Sequence, residues 1–121
     1  MGKLKSYKEL QTWQKSVDYG LLIYGATKIF PKEEIYGLTS QLRRAAISIA
    51  SNIAEGSERG TTKEFIQFLR IASGSLAECE TQLYFAHRLG YCDTAAYDAL
   101  ELKSREIGRM LNGLITKLNA R

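Results

Sequence analysis

Apolar residues return at alternating three- and four-residue steps along most of the chain, the period of helices that each bury one stripe. Leu10, Trp13, Val17, Leu21 and Tyr24 form the first seam and predict a helix over residues 6–29. Phe30-Pro31 ends it, because the residue before proline is steered out of the helical region. A second helix is expected over residues 32–55, opening with Glu33 and Glu34 where the helix dipole favours carboxylates. Its stripe is Leu42, Ala45, Ala46, Ile49 and Ile53, and Gly56 stands where a left-handed C-terminal cap is expected, with Gly60 as a second permissive point. Thr61-x-x-Glu64 has the form of a capping box for a third helix. That helix carries the most regular seam of the chain: Phe65, Leu69, Ala72, Leu76, Cys79, Leu83 and Ala86. Leu89-Gly90-Tyr91 closes it, and Asp93 or Thr94 caps a fourth over residues 95–118, with Tyr97, Leu100, Ser104, Ile107, Leu111, Leu114 and Leu118 inward. Amphipathic helices joined this tightly predict an all-α, antiparallel up-down-up-down four-helix bundle, residues 1–121 forming one domain.

The second helix carries more apolar circumference than one bundle core consumes. Ile47, Ala50 and Ala54 lie on the side away from its main stripe, so the helix is expected to be covered on most sides and copies of the chain to associate. Between the two apolar faces runs a polar line, Ser40, Arg44, Ser48, Asn52 and then Glu55. Buried polar groups persist only when hydrogen-bonded or paired, so this line reads as an internal network or an interface between subunits. Arg44 is expected to pair with an acid such as Glu55 of another helix or subunit, and Gly56 to terminate the line as a cap.

Composition narrows the class. Hydrophobic content of 45% and charged content of 25% are ordinary for a globular domain, and the single proline leaves long helices uninterrupted beyond residue 31. No run of about 18 apolar residues and no apolar leader follows the N-terminal lysines, which predicts a cytoplasmic protein with no membrane partner. Met1-Gly2 with Ser6 fits a short myristoylation pattern that carries little weight. The net charge of +4 is compatible with a nucleic-acid or acidic partner without identifying one, and the excess sits early, among Lys3, Lys5, Lys8, Lys15 and Lys28.

Candidate chemistry is sparse. Cys79 and Cys92 have neither the spacing nor, with His87 as the only histidine, the companions of a metal site, so reduced thiols and no metal or other cofactor are expected. Residues 56–63 combine glycines, threonines and Lys63 but lack the GxxxxGK[ST] spacing and a preceding strand. A weaker reading keeps the amides at the start of the third helix, with Arg59 and Lys63, as a phosphate contact. Asn52, Glu55 and Gly56 have no histidine beside them and read as hydrogen bonding and capping, not catalysis. Arg43 and Arg44 point about 100° apart on a helix, and for Arg43 a solvated role and a phosphate contact are equally open.

One long stretch carries a resemblance. RAAxSIxxNIAEGxxR over residues 44–59, the LxxW at Leu10 to Trp13, Phe30-Pro31 with Glu34, and GSLxE over residues 74–78 together resemble a bacterial family of four-helix-bundle proteins. That family is related to the protein encoded in intervening sequences of large-subunit ribosomal RNA genes. Ala50 departs from the pattern, which often has proline there. The resemblance implies a four-helix bundle assembled as a homopentamer, with no catalytic residues. It also implies a related branch, accessory proteins of diversity-generating retroelements, that works with nucleic acid. RNA or DNA binding through Lys3, Lys5, Lys8, Lys15, Arg43, Arg59, Lys63 and Arg70 is the first expectation, and a protein-interaction scaffold that touches no nucleic acid is the alternative.

Overall fold

The computed structural model describes residues 6–121, so Lys3, Lys5 and the start of the myristoylation pattern lie outside the described residues. Its helices are α1 (Gln11–Thr27), α2 (Leu38–Glu58), α3 (Thr62–Arg88) and α4 (Thr94–Asn119). Each packs on its neighbours in the chain and α1 returns to α4, while the backbones of the diagonal pairs α1/α3 and α2/α4 stay apart among the described residues. This is the all-α up-and-down bundle that the seams predict, with Ile23, Leu42, Ile49, Ile53, Leu69, Leu83 and Leu111 sealed at its centre.

The helix ends follow local chemistry. Ser6 accepts the Lys8 amide at 3.1 Å and starts a 3-10 turn, Tyr7–Glu9, so the expected first helix breaks at Leu10, whose backbone is extended. Pro31 likewise gives a 3-10 turn, Lys32–Glu34, and α2 opens only at Leu38, later than the charge pattern indicates. Glu34 nevertheless serves the helix end from outside: one carboxylate oxygen accepts the Leu38 amide at 3.1 Å, and the other accepts the Tyr91 hydroxyl at 3.0 Å. It thereby ties the start of α2 to the α3–α4 connection. Thr61 caps α3 through the Glu64 amide and Asp93 caps α4 through the Ala96 amide, both as expected.

Gly56 is a correction. It lies inside α2, buried, with no left-handed backbone; the turn before α3 is made by Gly60 at φ 96 and the one before α4 by Gly90 at φ 85. Gly56 is needed for space instead, since a Cβ there would sit 2.6 Å from Phe68 Cβ and 3.2 Å from Phe65 Cδ1. The missing side chain lets α2 and α3 close on one another.

The seam of α1 is the second correction. The residues that face the core are Thr12, Ser16, Tyr19, Gly20, Ile23 and Thr27, whereas Trp13 and Val17 are only half-buried and Leu21 is 66% exposed. Ser16 and Thr27 can go inside because their hydroxyls donate to backbone carbonyls one turn back, Thr12 at 2.7 Å and Ile23 at 2.9 Å. The helix is rotated so that its greasiest stripe looks sideways and outward, over the flank of α2.

Candidate interaction surface

The outward stripe of α1 meets α2 in an open groove of about 360 Å³, lined by Tyr24, Ile35, Thr39, Ser40, Arg43, Arg44 and Ile47. Ile35 and Ile47 are 54% and 49% exposed there, and Leu21, Ile29 and Tyr36, near Tyr24 and Ile35 in sequence, are exposed as well. Within the single chain the far side of α2 is therefore open, with Ala50 and Ala54 half-buried. No acidic side chain lines this groove.

Arg43 is built into the groove wall. Its Nε donates to Thr27 Oγ1 at 2.8 Å and its guanidinium lies 4.6 Å from the centre of the Tyr24 ring, so it staples α2 to α1 as a structural group. A contact spanning sixteen residues of sequence leaves no local spacing signal, and the sequence reading missed it. Arg44, its neighbour, is exposed and makes no hydrogen bond or ion pair among the described residues. Arg44 and Glu55 stand on the same helix, eleven residues or about 16 Å apart, so they do not pair within the chain, and Glu55 is held by Arg59 at 3.2 Å in the last turns of α2.

The middle of the polar line does form a network. Ser48 Oγ and Ser75 Oγ are 2.8 Å apart, joining α2 to α3, and the Asn52 amide donates to the Ser48 carbonyl at 2.8 Å and to its hydroxyl at 2.9 Å. Ser40 lies in the groove, and Glu55 stays at the surface with Arg59. A second polar link, from Ser104 on α4 to the Glu80 carboxylate on α3, explains the one polar position in the α4 seam.

The basic residues do not converge on one face. Lys15 pairs with Glu106 at 3.2 Å across α1 and α4; Arg59 pairs with Glu55 and lies 4.9 Å from the Phe68 ring centre; Arg43 is committed to Thr27 and Tyr24. Lys8 is exposed on the N-terminal 3-10 turn, while Lys63 and Arg70 are exposed on α3, seven residues apart and so on one side of it.

Reactive groups are shielded. Burial pushes the Cys79 thiol up to about 12, helped by the nearby Glu78 and Glu80 carboxylates, and burial together with Asp93 also raises Cys92. The Tyr19 hydroxyl is buried without a hydrogen-bond partner among the described residues, and burial raises its ionisation well above the usual phenol range. His87 Nδ1 faces the Cys92 carbonyl at 3.0 Å and must donate to it, while its ring stacks on Tyr97 at 4.6 Å. Among the described residues, no three His, Cys, Asp or Glu side chains are grouped to hold a metal ion, and no helix is long and apolar enough to cross a membrane.

Comparison with known proteins agrees with this architecture. The family model of the 23S rRNA-intervening sequence protein matches residues 8–113. A crystal structure of a protein of unknown function from the S23 ribosomal protein family, from Bacteroides thetaiotaomicron, is similar to this chain. It has a TM-score of 0.80 at 26% identity, covering 87% of this chain and 95% of that one. No curated protein matches.

Proposed function

The chain belongs to the 23S rRNA-intervening sequence protein family, and on that premise we propose that it is a non-enzymatic, cytoplasmic assembly and docking protein that works as a homo-oligomer, of five subunits as the sequence resemblance implies. The supporting observation is the outward turn of α1. A helix whose Tyr24 lies exposed beside Ile35 and Ile47 of the α2 side, with Leu21 exposed one turn away on the same helix, leaves apolar surface that a second chain covers. Light scattering at micromolar concentration tests this: a multiple of the 13.6 kDa subunit mass is expected, and a monomer overturns it.

Between the two kinds of partner, the scattering and local neutralisation of the basic residues favour a protein-docking scaffold. Nucleic-acid binding is a second reading, favoured by Lys63 and Arg70, which stand exposed on one side of α3 with no ion pair among the described residues. Phosphate contacts release counterions, so binding to structured RNA or to DNA would fall steeply between low and moderate salt. Lack of binding at low salt leaves the scaffold.

A further inference from the structure

We propose that the groove between α1 and α2 docks a segment of another polypeptide in which one acidic side chain stands between two apolar ones. This rests on the protein-docking reading above and names the partner's chemistry.

Groups that bind an anion gather at the start of α2, and none of them is used. The amides of Thr39 and Ser40, in the first turn, make no hydrogen bond among the described residues, since the first amides of a helix have no carbonyl one turn back within it. That end also carries the positive pole of the helix dipole. Thr39 is only 5% exposed, yet it lines the groove, and its hydroxyl has no hydrogen-bond partner among the described residues. Arg44 lines the groove one turn further on, without an ion pair. Side chains on a helix lean toward its N-terminus, which carries the Arg44 guanidinium toward the Ser40 turn. Glu78 of the same chain stands level with Arg44 across the α2–α3 seam, counted from the Ser48 to Ser75 hydrogen bond, and still does not pair with it. A carboxylate from outside the chain supplies what the hydroxyl, the amides and the guanidinium all lack.

The walls choose what bears that carboxylate. Ile35 precedes the cationic centre in the chain, Ile47 follows it, and the Tyr24 ring, with Arg43 stacked on it, forms the wall from α1. A sugar-phosphate backbone gains nothing from two isoleucines, whereas apolar side chains of a peptide cover them. A chain terminus offers neighbours on one side only, so a side-chain carboxylate within a segment is the better match. Ser40, Arg44 and Ile47 lie one helical turn apart in succession, about 5 Å per step. A helical segment with apolar residues three or four positions before and after its acid repeats that spacing.

Selection from a random dodecapeptide display library on the full-length protein tests this, with light scattering and circular dichroism run on every variant. Enriched peptides are expected to share an aspartate or glutamate with an apolar residue about one turn to either side. Their binding is expected to weaken about tenfold or more in R44E and about threefold in Thr39→Val, which removes only the hydroxyl. Peptides without a common acid, or bound equally by R44E, overturn the groove assignment and leave the docking reading standing. An empty selection on a protein that assembles overturns it as well, the groove then being closed by a second copy. If the selection is empty and the protein binds structured RNA instead, the docking reading falls with it.

Discussion

A methyl group added at Gly56 meets Phe68 Cβ at 2.6 Å, part of the α3 framework and not the free end of a flexible chain. Gly56→Ala is therefore expected to force α2 and α3 apart and to lower stability by about 1–3 kcal/mol in chemical denaturation, although alanine is the better helix former. At Tyr97 the expectation concerns titration. Its hydroxyl donates to Glu101 at 2.7 Å, which, together with burial, pushes the phenol up to about 12. The same bond, reinforced by Arg105, holds the Glu101 carboxyl below the usual carboxylate range. A carboxylate depressed on folding contributes stability above its unfolded value and loses it as pH falls through the folded one. In an NMR titration Glu101 is accordingly expected to protonate at lower pH than an ordinary glutamate, and Tyr97→Phe to shift that midpoint upward.

Among the elements, α3 and α1 mark the two extremes of what the sequence discloses. The α3 seam is buried as its spacing predicts, with Leu69, Leu76, Cys79 and Leu83 all inside, because large apolar side chains and helical period coincide there. In α1 they part: the inward positions are held by Thr12, Ser16, Gly20 and Thr27, whose hydroxyls or small size hide them from a reading that follows hydrophobicity. Gly56 was misread for a related reason, since a glycine near a helix end signals a turn locally, while its use here depends on Phe65 and Phe68 of another helix. The groove was legible only as excess apolar residues on α2; its α1 wall and the Arg43 staple required the rotation of α1. Paired substitutions in α1 separate its two faces. Ile23→Ala is expected to cost about 2–5 kcal/mol of folding stability, whereas Leu21→Ser leaves the single chain within about 0.5 kcal/mol and acts on association. Denaturation and light scattering on both variants check the division.

At the scale of the whole molecule, a folded chain that associates is stabilised by mass action, so the thermal midpoint in a melting experiment is expected to rise with protein concentration. Helix number, order and up-down alternation were readable from the chain, because each connection is short; the number of subunits is not encoded in any periodicity. The first helix is seated through hydroxyls and a glycine, with Ile23 and Tyr19 as its large inward side chains, and ends at Thr27, a few residues before Pro31. Fewer large side chains seal it than seal α2 and α3, so its amides are expected to exchange with deuterated solvent sooner than theirs. Detached about the Phe30-Pro31 bend, it could dock into the vacated place on a neighbouring chain, so that subunits become interlocked by trading their opening segments.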